Sequence, residues 1–143
     1  MKKRYYFLFL FVLLAFSCDW DIVDKKYNNY KEAMKDNYLD KGWMPKELFV
    51  KSAFNIYHRS ELDTNKFWIK YNVSYEDFQE IRDKLTLLDN IDFNATLNKN
   101  TPEWWIKNFE GLNLYIFYSN EGRKYYFIIN DKDKLIYGFL EKY

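Results

Sequence analysis

"FNIYHRSELDTNKFWIKYNV", residues 54 to 73, sets two apolar-rich runs around a polar "LDTN". In the second run Phe67, Ile69, Tyr71 and Val73 alternate with Lys66, Trp68, Lys70 and Asn72. Successive side chains of a strand point to opposite faces, so a period of two reads as a half-buried strand. The first run, Phe54 to Glu61, places Phe54, Ile56 and His58 on one face. Asp and Asn between two such runs suit a tight turn. The stretch is therefore an expected β-hairpin, and it makes antiparallel pairing the frame of the fold. By the same alternation Trp68 falls on the wet face, between Lys66 and Lys70.

Downstream, Ser74 stands as a cap with Asp77 three residues on, and Tyr75, Phe78, Ile81, Leu85 and Leu88 follow at helical spacing. A helix from Ser74 to about Leu88 is expected. Thr101 as cap, Pro102 at the first helical position and Glu103 in the first turn predict a short further helix. The last third changes period. Leu112 to Ser119, Lys124 to Asn130 and Leu135 to Tyr143 are rich in Tyr, Phe, Ile and Leu and are separated by "NEGR" and "DKDK". They read as a three-stranded antiparallel meander.

Upstream, Tyr27, Tyr30, Met34 and Tyr38 recur at steps of three and four among lysines, the spacing of an amphipathic helix over Asp24 to Tyr38. Gly42 can stop it, and Pro45 opens the next segment. The expected fold class is thus α+β: an antiparallel sheet of about five strands, hairpin plus meander, with two longer helices and one short one on one face. Residues 25–143 form a single domain, because no linker or repeat interrupts them.

The start of the chain is different. Lys2, Lys3 and Arg4 precede an uncharged run from Tyr5 to Phe16. That run is shorter than the roughly 20 apolar residues a spanning helix needs, and its charge pattern is that of an export signal. It ends in Ala15, Phe16, Ser17 and Cys18, which resembles the lipobox of bacterial lipoproteins. The resemblance implies cleavage of a signal peptide at 1–17, acylation of Cys18 as the lipid attachment site, and a tether over 18–24. Two or more acyl chains hold stably where one holds marginally, so fatty acid alone suffices as the membrane anchor. It implies a place in the bacterial cell envelope, with the outer membrane or cell surface favoured over the inner membrane.

Loss of the signal leaves 19 basic residues against 21 acidic ones. A mildly acidic chain without clustered Lys and Arg argues against nucleic acid as a partner. Cys18 is the one cysteine of the chain, so its acylation leaves no thiol for a disulfide. The core has to hold the domain together by itself.

Few residues carry chemistry. His58 is the sole histidine, and a zinc site needs several nitrogen or sulfur ligands, so no metal and no cofactor is expected. No G-x-S-x-G turn is present, so catalysis is not expected, although a hydrolase using His58 stands as an alternative. Asn90, Asp92 and Asn94 alternate like a calcium loop, but Ala95 occupies the place that needs glycine for the sharp turn. The outlier is aromatic content: 26 Phe, Tyr and Trp remain after the signal. Trp68, Trp104 and Trp105 are the candidate partner-binding residues, because rings of this size at a surface anchor protein or glycan partners.

The stretch "GWMPKELFVKSAFNIYHRSELDTNKFWIKYNV" resembles small uncharacterised bacterial proteins, many of them lipoproteins, through Pro45, Ser52, Ala53, Ile56 and the Leu62 to Asn65 turn. That resemblance brings no activity with it. The sequence therefore supports a lipid-anchored, non-catalytic envelope module for an unidentified protein or glycan. An inhibitor or immunity protein directed at a toxic enzyme is the alternative from another class.

Overall fold

In a computed structural model that describes residues 21–88, 101–110 and 112–140, the frame is one seven-stranded antiparallel sheet. The strands are β1 (Ile22–Asn29), β2 (Phe54–Glu61), β3 (Lys66–Asn72), β4 (Thr86–Leu88), β5 (Asn113–Tyr118), β6 (Lys124–Asn130) and β7 (Leu135–Leu140). Their spatial order is β1-β2-β3-β7-β6-β5-β4. Two meanders, one from each half of the chain, thus meet where β3 pairs with β7, through Ile69 opposite Gly138. Two short helices complete the regular elements: α1 (Tyr30–Lys35) and α2 (Tyr75–Asp83).

The fold is mostly β, which overturns the expected α+β class with about five strands and longer helices. Three segments account for the difference. The first part of the expected helix over Asp24 to Tyr38 is strand, because Ile22 to Asn29 pairs along β2, with Tyr27 opposite Ile56, and only Tyr30–Lys35 is α-helix. The helix starts only at Tyr30, capped by Asn29, whose side chain accepts from the Glu32 N–H while the Glu32 carboxylate accepts from Asn28 N–H. That reciprocal pairing is close to a capping box and fixes the start of α1 six residues later than the apolar spacing proposed.

The second expected helix stops at Asp83, and Thr86 to Leu88 pairs with Ile116 to Leu114 as an edge strand. The third is a single turn, in which Trp105 N–H donates to the Pro102 carbonyl. Trp104, Trp105, Ile106, Phe109 and Leu112 all pack on the same sheet face, and one regular helix would spread five such residues around its circumference. Strand β1 begins at Ile22, so the last residues of the expected tether already belong to the sheet. The expected signal, Cys18 and the Asn90 to Asn94 loop lie outside the described residues.

Both faces of the sheet are covered. On the first, Ile56, Phe67, Ile69, Tyr71, Phe127 and Ile136 form a core with Ala33 of α1, Phe78 and Ile81 of α2, and Tyr38, Leu48 and Phe49 from the 3-10 turns that follow α1. On the second, Trp68, Tyr126, Ile128, Tyr137 and Phe139 meet Trp105 from the segment after Thr101. That segment covers the middle of the sheet. Toward β1, Asp24 and Lys26 are exposed on the second face.

A bulge corrects one further detail. Phe54 pairs with Asn72 but Tyr57 with Lys70, so β2 carries one extra residue at Asn55, whose φ is 50°. Phe54 is thereby moved off the face of Ile56 and His58 and is 43% exposed.

Candidate functional site

Three register partners build the floor of the region toward β1. Lys26 of β1 lies opposite Tyr57 of β2, and Tyr57 lies opposite Lys70 of β3, all on the second face. Their backbones fix the order. The Lys26 Nζ stands 5.0 Å from the centre of the Tyr57 ring, and the Lys70 Nζ stands 4.4 Å from it. Ammonium groups at such distances are attracted by the ring's negative face. Lys70 is also 5.8 Å from the Trp104 ring, and its Nζ donates to the Trp104 carbonyl at 3.4 Å. The edge of the covering segment is thus tied to the strand.

The next row along the strands is charged and paired. Asp24, Arg59 and Trp68 are register partners, and Arg59 donates to both Asp24 carboxylate oxygens, at 2.8 and 2.6 Å. This fork-to-carboxylate geometry holds both side chains at fixed positions. The hydrogen bond to Asp24 raises the Arg59 guanidinium above its ordinary value, and Glu103 adds to the field that does so. Asp24, Lys26, Tyr57, Arg59, Glu103 and Trp104 border a cleft of about 400 Å³. That volume lies within the range of small-ligand sites.

Of the three tryptophans singled out from sequence, the structure brings two to the cleft's neighbourhood in different ways. Trp104 is half-buried, with its ring 5.9 Å from Tyr57. Trp105 is 3% exposed, edge-on to Tyr137 and Phe139 at 5.3 and 5.9 Å, and anchors the covering segment. Its Nε1 is a buried donor with no acceptor among the described residues. Trp68 is 4% exposed, so the wet placement given by alternation is corrected: its face is right, but the segment after Thr101 covers it. Tyr57, Lys26, Lys70, Arg59 and Asp24 were not singled out, although the alternation that located Trp68 also places Tyr57 and Arg59 opposite to His58.

His58 faces the other way. It is 3% exposed, its Nδ1 lies 3.0 Å from the Tyr38 hydroxyl, and the Trp43 and Phe67 rings are 6.5 and 6.0 Å from it. Burial, with the nearby Lys41 charge, lowers its pKa to about 4. The ring is therefore neutral and enclosed in the first core. Among the described residues no three His, Cys, Asp or Glu side chains gather as a metal site. No helix among them is long and apolar enough to cross a membrane.

A second cleft, of about 250 Å³, lies between the turn at Gly42 and the β5–β6 turn. Arg123, one of the two cations lining it with Lys46, is already engaged, since it donates to the Gly42 carbonyl and pairs with Glu121. The open cleft on the second face is the stronger candidate.

A family model described as the YbbD head domain matches residues 21–72, which span β1 to β3 and carry Asp24, Lys26, Tyr57, Arg59 and Lys70. The match suggests a bacterial envelope-type protein. No curated protein and no solved structure matches the chain.

Proposed function

We propose that this protein is a non-catalytic binding module, held at the cell envelope through acylated Cys18, that captures its partner in the cleft formed by Tyr57 and Trp104. The observation that carries the reading is the pair of rings 5.9 Å apart beside two ammonium groups at the edge of the segment that covers the second face. Aromatic rings at an open cleft supply apolar area and orientation at once, and a few fixed polar groups beside them supply selectivity. The match to the YbbD head domain supports the envelope part of the reading. The Ala15 to Cys18 stretch supports the anchor.

Chemical crosslinking of the full chain in envelope membranes tests the cleft. Trp104→Ala and Tyr57→Ala are each expected to reduce the crosslinked partner by about tenfold, the scale of losing one central aromatic contact. Undiminished capture by both variants would refute the reading. Separately, Cys18→Ser is expected to release the protein from sedimenting vesicles, and mass spectrometry of the N-terminal peptide should find fatty acid on Cys18. An intact, unacylated N-terminus would remove the anchor.

A further inference from the structure

The charges around the cleft are not evenly matched. At one end Arg59 holds Asp24 in a two-point ion pair, and Glu103 borders the same cleft. At the other end Lys26 and Lys70 bracket the Tyr57 ring, and neither forms an ion pair among the described residues. The rings therefore lie between two ammonium groups that form no ion pair among the described residues and the Asp24–Arg59 pair with Glu103 nearby.

Each end selects a different functional group. Two ammonium groups on one face select an anion, because charge-assisted hydrogen bonds are roughly twice as strong as neutral ones. Carboxylates bordering the other end repel a second anion but accept hydrogen bonds from hydroxyls, since ionised Asp and Glu are pure acceptors. A ligand that fits both carries a single acidic end and a body rich in O–H groups. Its body also needs an apolar face for Trp104. A pyranose ring has all of these: axial C–H groups on one side, hydroxyls around the rim, and, in acidic sugars, one carboxylate.

Resting on the binding reading above, we infer that the cleft takes a saccharide bearing a carboxylate, with the carboxylate over the edge of Tyr57 on the ammonium side of the cleft, the ring against Trp104, and hydroxyls on Asp24 and Glu103. An acidic peptide fits less well, because its repeated carboxylates would meet Asp24 and Glu103. A neutral sugar would leave the two ammonium groups without a counter-charge.

Titration calorimetry of the full chain in detergent micelles tests the inference with three probes: galacturonic acid, galactose, which has an alcohol in place of the carboxylate, and a hexaglutamate peptide. Galacturonic acid is expected to bind, to weaken as salt rises, and to lose about tenfold in affinity in Lys26→Gln and in Lys70→Gln, as for one charge-assisted hydrogen bond. Lys26 is exposed at the sheet edge, so Lys26→Gln should keep the wild-type melting temperature.

Equal binding of galactose would overturn the acidic selectivity, and tighter binding of hexaglutamate would overturn the saccharide in favour of a peptide. If no probe binds while Trp104→Ala still abolishes crosslinked capture, the inference fails and the binding reading stands. If Trp104→Ala and Tyr57→Ala leave capture intact, the binding reading itself falls.

Discussion

His58 shows what one buried residue does to the whole chain. Its folded pKa of about 4, against an ordinary 6.5, means that the unfolded chain takes up a proton near pH 6.5 that the folded chain declines until about pH 4. Stability therefore falls as pH drops through that window and levels off below it, by about 3 kcal/mol in total. Asp36 acts lower on the scale. The Tyr27 hydroxyl and then the Lys41 ammonium hold its carboxyl down to about 2 from 3.8, so its contribution is lost only as pH falls below about 4. Urea midpoints measured from pH 7 to pH 4 should slope downward in the wild type and lie nearly flat in His58→Gln, which keeps a polar group near Tyr38. The same slope in both proteins would show that His58 does not set it. From sequence this residue was placed correctly on a strand, but its partner Tyr38, read as the end of a helical stripe, comes from a 3-10 turn.

At the scale of elements, strand β7 is pinned by a glycine. A side-chain carbon at Gly138 would lie 2.6 Å from Phe127 Cε1 and 3.0 Å from Ile69 Cγ2. Both neighbours are fully buried, so neither can move freely. Gly138→Ala should cost about 1–3 kcal/mol, the usual penalty of overpacking, and should lower the thermal midpoint measurably. An unchanged midpoint would mean that the two meanders meet less tightly than the structure shows.

The elements also show where sequence reading succeeds. The 54 to 73 hairpin and the closing meander were legible, because half-buried strands write period two directly into the sequence. Strand β1 was not, because an edge strand with one buried residue in eight, Tyr27, hardly alternates at all. The three-residue step from Tyr27 to Tyr30 joins the strand to α1 and mimics a helix. The better signal was Asn29 with Glu32, a cap that places the helix start correctly. Alternation also told which face Trp68 occupies but not what covers it, since coverage depends on a segment some thirty residues away. Tyr57 and Lys70 escaped notice for the same reason: the cleft exists only where that cover ends.

For the molecule as a whole, the proposed anchor and the cleft are close in sequence. Six residues separate Cys18 from Asp24, and a fully extended chain spans at most about 3.6 Å per residue, so Asp24 lies within roughly 20 Å of an acylated Cys18. A partner in the cleft would therefore be held next to the bilayer. It would have to be membrane-proximal or long enough to reach down to it. The sheet supports this arrangement, because Asp24 and Lys26 sit on the strand that directly follows the expected anchor, while Trp104 arrives from the second half of the chain. The cleft thus forms only when both meanders are joined at the β3–β7 seam.

The most direct measurement compares partner capture and thermal midpoint in four forms of the full chain: wild type, Tyr57→Ala, Trp104→Ala and Tyr118→Ala. Tyr118 is 60% exposed on β5, toward the opposite side of the sheet, and serves as an aromatic control. The two cleft variants are predicted to lose about tenfold in capture while still melting cooperatively, and Tyr118→Ala is predicted to capture as the wild type does. Full capture by both cleft variants, or an equal loss in Tyr118→Ala, would contradict the account.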